Sequence, residues 1–466
     1  MAGVLPANVS FFMQRLQGVS TSHFKISPQS NDSAVANRIL RFELPSNSLV
    51  NLRSLRMMFN ADADQTATAG GRLPNGIYKL IERVAIYMGG TLVQNNFQSY
   101  GLYQTAKEAM EGSKCNSVLG HPEIVRTKSY HDGSAITTTA NEKYTDTDDQ
   151  LAIQHWESFL GTVQPSILDT GILPQVTIEI TLAEDSVCSS CAGPALDGTG
   201  TADITDENQG AKASFKLSNI SMQLEVLGMA TSVLDQITEQ RIASVGYVSL
   251  PFKNVFTYVS THNGTSRFSV NSASWDRVWM VYRASTYPDR AGVHRIPGYK
   301  KSGAFVDDES GQTAADIDVG IPDYDSGGVL DTNKEKYTST YFRMQEILTS
   351  ATTPATYQLQ INGATVPAFR VNRSEMYAIT QNSIDSYHTE HSMTMQQYTD
   401  SYFVQCMRFC LPDSEMSRLA SGLDTRSVSA QAAVETTGVA SCNLTVFAEC
   451  TSELRVGSGR AIEVIA

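Results

Sequence analysis

The sequence predicts an all-β protein built from two modules, and three observations carry that expectation. Val, Ile, Thr, Tyr and Phe recur in short runs separated by Gly, Asn, Asp and Ser, a spacing that fits sandwiches or barrels rather than βαβ units. The length of 466 residues suits two to three domains, and 41% hydrophobic with 18% charged residues can fill sizeable cores. Near the middle, one series of strand-like runs ends, a helical stretch follows, and a second series begins.

Residues 1–33 read as an arm: Phe11, Phe12, Met13 and Leu16 form a small apolar cluster ahead of the turn-rich SPQSNDS. Only Arg15 and Lys25 are basic before residue 31, too sparse to gather nucleic acid by charge. Leu40, Phe42 and Leu44 then alternate with Arg41 and Glu43, Pro45 and Asn47 turn the chain, and Leu55, Met57 and Phe59 repeat the pattern. LIERVAIYMGGTLVQ is a strand ending at Gly89-Gly90, a tight turn or bulge. Tyr100, Tyr103, Ala106 and Met110 fall at helical spacing. Residues 114–160 lack periodicity and read as a long loop.

The central stretch 213–259 organises the chain. Met222, Leu224 and Val226 alternate with Ser221, Gln223 and Glu225, a half-buried strand. Val233, Leu234 and Ile237 predict a short helix, after which Val255, Thr257 and Val259 alternate with Phe256, Tyr258 and Ser260. No Gly/Ser or Pro-rich tether intervenes, so the modules are expected side by side. SASWDRVWMVYRAS follows as a strand with Val278, Met280 and Tyr282 on one face and Trp275, Arg277 and Trp279 near or on the other. Residues 301–336 hold nine acidic residues against three lysines and read as a solvated outer loop. YQLQINGATVPAF is a hairpin whose Asn362-Gly363 suits a type I′ turn; residues 374–387 predict a helix, and SYFVQCMRFCLP a further strand.

Little in the chain points to catalysis. The CSSC at 188–191 has metal or redox spacing but lacks a second CxxC, paired histidines or a βαβ context, so it reads as structural. His388 and His391 lack a third ligand, and Asp316, Asp318, Asp323 and Asp325 lack the spacing of an EF-hand loop. No phosphate-binding, zinc-protease, nucleophile-elbow or dinucleotide motif occurs. Seven cysteines without framework spacing are expected as reduced thiols of an intracellular folding environment. Neither a signal peptide nor a spanning segment is expected, so the sequons at Asn219, Asn263, Asn372 and Asn443 read as chance matches. A net charge of −13 argues against a surface that coats phosphates.

RFELPSNSLVNLRSLRM, then IERVAIYMGGTLVQ and YGLY, resemble the opening of double jelly-roll major capsid proteins, which build the shells of many icosahedral DNA viruses. The C-terminal Ser421-Gly422-Leu423, the LTVFAE strand and a short last strand extend that resemblance. The loops at 114–160 and 288–336 match nothing in it. The resemblance implies two tandem eight-stranded jelly rolls with a few short helices and long loops. It divides the chain into an arm at 1–33, a first roll at 34–235, the end of a connecting helix at 236–244 and a second roll at 245–466.

The implied function is that of a major capsid protein, not an enzyme. It would form homotrimeric, pseudo-hexameric capsomers that tile an icosahedral virion inside the infected host cell. Two similar modules repeated by a three-fold axis give a six-cornered tile. Partners would be further copies of the chain, then penton and minor capsid proteins. The arm, through Phe11, Phe12, Met13 and Leu16, would face inward, toward an internal membrane, or clamp a neighbouring tile. No cofactor, metal, catalytic residue or sequence-specific nucleic-acid contact is expected. Two other readings stay open here: a secreted carbohydrate-binding or glycan-cleaving β-sandwich, and a trimeric receptor-binding spike.

Overall fold

Alternation along the chain becomes pairing in a nested order. A computed structural model describes residues 20–64, 70–74, 76–94, 97–111, 150–191, 214–228, 231–287, 293–295, 337–350, 352–384, 395–411, 422–426 and 431–465. The first half supplies β1 (Ser20–Ile26), β2 (Ile39–Glu43), β3 (Leu49–Asp64), β4 (Ile81–Met88), β5 (Thr91–Gln94), β6 (Leu151–Ile153), β7 (Val176–Leu182) and β8 (Ser214–Gly228). The second half supplies β9 (Tyr247–His262), β10 (Thr265–Ser269), β11 (Trp275–Arg283), β12 (Thr356–Ile361), β13 (Ala364–Val371), β14 (Val404–Arg408), β15 (Gln431–Thr437) and β16 (Cys442–Gly457). Helices α1 (Tyr100–Glu111), α2 (Phe159–Thr162), α3 (Thr231–Val245), α4 (Arg373–Ser383) and α5 (Met395–Asp400) lie between them.

In each half the first strand pairs with the eighth, the second with the seventh, the third with the sixth and the fourth with the fifth, always antiparallel. The sheets therefore run β1-β8-β3-β6 and β2-β7-β4-β5, then β9-β16-β11-β14 and β10-β15-β12-β13. Ala34–Val35 and Ile167–Asp169 extend the first sheet, and Ile462–Ile465 pairs with β16. The same topology thus occurs twice, each time as two four-stranded layers over an apolar core. Both innermost hairpins turn on two residues at positive φ, Gly89-Gly90 and Asn362-Gly363, as a type I′ connection requires.

Two local expectations change. Ser20–Ile26, read as part of the arm, is an edge strand paired with β8; STSHFKI has no apolar alternation because all of it except Ile26 is exposed. The connecting helix, whose end was expected at 236–244, runs from Thr231 to Val245, and Gly246 at φ 93° ends it with its N–H on the Ile242 carbonyl. In β11 a register shift between Trp275 and Arg277 turns Trp275 away from the face it was expected to share with Trp279. Trp275 instead packs on Phe268 and Phe409, between the sheets of its own sandwich.

His262, at the end of β9, ties those two sheets together. Its ring nitrogens lie 2.8 Å from Ser266 Oγ on β10 and 2.7 Å from Thr436 Oγ1 on β15. Burial lowers its pKa below the ordinary value of about 6.5. The unfolded chain therefore takes up this proton first as pH falls, and the folded state loses stability below about pH 6.5. Thermal melts from pH 7 to pH 5 should show that loss, and H262Q should flatten it relative to the parent chain.

Candidate functional site: the seam between the sandwiches

Helix α1 forms because Tyr100, Tyr103, Ala106 and Met110 recur at helical spacing, and all four are buried. Its second residue is Gly101 for a steric reason: a Cβ there would lie 2.8 Å from Lys79 Cα, so only glycine lets the helix lie against the 77–80 turn. Phe97 packs between Tyr100 and Tyr103, with ring centroids 5.1 and 5.3 Å away. Tyr103 then crosses to the other sandwich, 5.2 Å from Phe447 and 6.2 Å from Trp279. Those two rings are direct cross-strand partners on the outer face of β16 and β11, the side away from their own core.

The outer edge of the second sandwich is closed in the same way. Pro251 sits in β9, an edge strand, where a residue without an N–H is tolerated. The Pro251 carbonyl accepts from Gln164 N at 3.0 Å, the Lys253 carbonyl from Ser158 Oγ at 3.0 Å, and Lys253 N donates to Thr162 Oγ1 at 2.9 Å. Thr257 Oγ1 donates to the Gln98 carbonyl at 2.9 Å, and Phe159 meets Phe252 edge-on at 5.1 Å. The cores of both sandwiches belong to one continuous apolar cluster.

Buried charges complete the seam. Glu449 lies 3.8 Å from Arg277 and accepts from Trp279 Nε1 at 3.4 Å and the Tyr103 hydroxyl at 3.5 Å. Burial alone would push its carboxyl up; Arg277, Lys107 and Lys253 outweigh that and hold it below the usual carboxylate range. Lys107 pairs with Glu157 at 3.0 Å, and Lys253 with the buried Asp276 at 2.6 Å. Further along, Lys79, Glu82 and Ser99 of the first sandwich face Arg283, Tyr341 and Phe342 of the second across a narrow crevice. Burial brings Lys79 down to about 8 and raises Glu82 despite the N–H and hydroxyl of Ser99 and the charge of Arg283. Arg283 stacks 3.6 Å from the centre of the Tyr287 ring.

The residues singled out in the sequence are not gathered here. Phe11, Phe12, Met13 and Leu16, the acidic loop with Asp316, Asp318, Asp323 and Asp325, and the His388/His391 pair all lie outside the described residues. Cys188 is buried in the first core, where burial pushes its thiol up, and Cys191 lies in a short strand paired with Gly70–Arg72. Among the described residues no group of three or more His, Cys, Asp or Glu is placed to hold a metal. Sequence reasoning found Tyr103 as a helix residue but missed its partners. In the structure WDRVWMVYR is buried at all nine positions, which a strand with one wet face does not allow, but the charged Asp276, Arg277 and Arg283 mask this in the sequence.

No family model matches the chain, and no curated protein matches its sequence. Solved structures do match. A quasi-atomic model of the PBCV-1 virus capsid aligns over 97% of this chain and 98% of its own, with TM-score 0.51 at 12% identity. The Faustovirus major capsid protein aligns over 94% and 90%, with TM-score 0.52 at 11% identity. With two nested eight-strand sandwiches in one chain, these alignments decide the architecture. The fold is a double jelly roll.

In this double jelly roll the aromatic contact at α1 fastens one roll to the other. Y103A should cost about 3–5 kcal/mol in denaturant unfolding by opening a cavity between α1, Trp279 and Phe447. E449A should cost about as much, because Arg277 would stay buried without its carboxylate. F369A, at an exposed position on β13, should cost less than about 0.5 kcal/mol.

Proposed function

We propose that this chain is a major capsid protein that assembles as homotrimeric, pseudo-hexameric capsomers tiling an icosahedral virion shell. The observation that carries the proposal is the duplicated jelly-roll topology held side by side by a buried seam. A jelly roll closes two sheets over a core and leaves few open edges, so its walls stay rigid while its loops vary. Two such boxes in one chain, repeated three times about an axis, present six similar corners, an outline that packs edge to edge. The solved structures that share the fold are described as a virus capsid and a major capsid protein, which supports the same reading.

The role is structural: work is done by area buried between copies, with no catalytic group assigned. The division proposed from the sequence is an arm at 1–33, a first roll at 34–235 and a second at 245–466, with Ser20–Ile26 of the arm paired into the first roll as β1. The arm, with Phe11, Phe12, Met13 and Leu16, is assigned to contacts with a neighbouring tile or the particle interior. Penton and minor capsid proteins would complete the shell.

Electron microscopy of the purified full-length chain tests this. Three-copy particles with a hexagonal outline, joining edge to edge into sheets or shells, are expected. A stable monomer, or an oligomer without near-sixfold projection symmetry, would contradict it.

A further inference from the structure

The crevice beyond the aromatic contact holds buried cations that lack a matching acid. Lys79 belongs to the 77–80 turn, fixed by its N–H on the Gly76 carbonyl at 3.0 Å and by Ala183 N on the Leu80 carbonyl at 2.8 Å. It is 9% exposed, and no ion pair among the described residues includes it. Its ammonium rests on two rings instead, 5.8 Å from the centre of Tyr78 and 5.4 Å from that of Phe342, a residue of the other roll. Ring faces return less than the burial of an unpaired ion costs. Across the crevice Arg283 is also buried. Its Nε has no acceptor among the described residues, and its other nitrogens reach only the Tyr341 carbonyl at 3.4 Å and Thr445 Oγ1 at 3.5 Å.

The cover over Lys79 is the 340–342 turn of the second roll. On one side Tyr337–Ser339 pairs with Val293–Arg295; on the other, Gln345 N donates to the Tyr282 carbonyl at 3.1 Å and Phe403 N to the Met344 carbonyl at 3.0 Å. Among the described residues no backbone hydrogen bond joins the turn to the first roll, so it can lift without breaking a ladder. The other charged groups around the ammonium are already engaged. Glu82 Oε1 accepts from Ser99 N at 3.0 Å and Ser99 Oγ at 3.2 Å, and Glu184 acts on Glu82 and Tyr341 from behind. Tyr78 is bonded to Glu108 of α1, Asp185 accepts from Phe215 N at 3.3 Å, and burial keeps the Tyr341 hydroxyl protonated.

We propose that this crevice is a proton-operated latch between the rolls: with Lys79 charged, the Tyr341–Phe342 turn opens to admit water to the ammonium, and with Lys79 neutral it stays shut on the first roll. The latch is local and leaves Tyr103 against Trp279 and Phe447. In the open form the amine titrates at its ordinary 10.5, in the shut form at about 8. The shut form therefore gains as pH rises from about 8 toward 10.5; below about 8 both forms carry the charge and opening levels off. The gap between those values caps the change in the opening equilibrium at about 300-fold. Glu82 works at the acid end: burial raises its carboxyl, so its protonation also favours the shut form, and the latch is loosest near neutral pH.

Hydrogen exchange of the full-length chain tests this, read as protection of the 341–343 amides after correction for the intrinsic pH dependence of exchange. In the parent chain that protection should rise at least about 10-fold from pH 7 to pH 10. K79M, similar in length but uncharged, should show the high protection already at pH 7 and keep it at pH 10. K25M, at an exposed lysine of β1, should follow the parent. Equal protection of β11 and β16 in all three chains at pH 7 shows that each is folded; if K79M disturbs those strands, the parent profile alone decides. A parent whose 341–343 protection is the same at pH 7 and pH 10, or a folded K79M that keeps the parent's pH dependence, would overturn the latch.

Discussion

Trp279 and Phe447 stand on the outside of a sheet, where an independent sandwich would place polar groups, and that placement constrains the rest of the molecule. Burying a large aromatic ring removes about 150–250 Å² from water, worth about 4–6 kcal/mol as an upper bound. An exposed ion pair contributes about 0–1 kcal/mol, so the rings decide how the rolls sit. The second roll therefore cannot present this face to solvent without a large loss. Helix α1 of the first roll covers it, and the orientation of the two boxes follows from fitting Tyr103 against both rings.

The polar groups at the seam act on position more than on strength. Glu449, Arg277, Lys107, Lys253 and Asp276 lie within or beside an apolar contact, where an unpaired charge is costly. Each of these ion pairs forms within one roll, so what crosses the seam is the Tyr103 hydroxyl on Glu449 and the nearby Lys107 charge, both of which a slipped seam would pull away. The hydrogen bonds to the β9 backbone work in the same direction, because an edge strand has a fixed repeat along its length. Aromatic burial supplies the attraction, and the Tyr103–Glu449 hydrogen bond with the β9 backbone contacts selects the register.

Much of this was legible from residues that act locally. Asn362-Gly363 and Gly89-Gly90 announce hairpins because few residues adopt positive φ, and both are the innermost hairpins of their rolls. The spacing of Tyr100, Tyr103, Ala106 and Met110 announces α1. What was illegible depends on distant partners. The bulge that turns Trp275 inward is a property of the β11–β16 pair, not of either strand. Ser20–Ile26 reads as an arm because an exposed edge strand needs no apolar alternation. Glu449 looks like any acid in LTVFAEC until Arg277 and Trp279 are placed beside it. Pro251 was the clue to the closed edge of β9, a proline inside an otherwise regular strand.

A pair of rolls locked this way is one rigid corner-and-wall unit, which an assembling shell needs and a tethered pair would not provide. Hinged rolls would place their corners at variable angles, and a lattice would accumulate the error at each contact. Calorimetry of the full-length chain probes that rigidity directly. One endotherm with equal calorimetric and van't Hoff enthalpies is expected, because neither roll survives loss of the seam. Two separable endotherms, one for each roll, would contradict it.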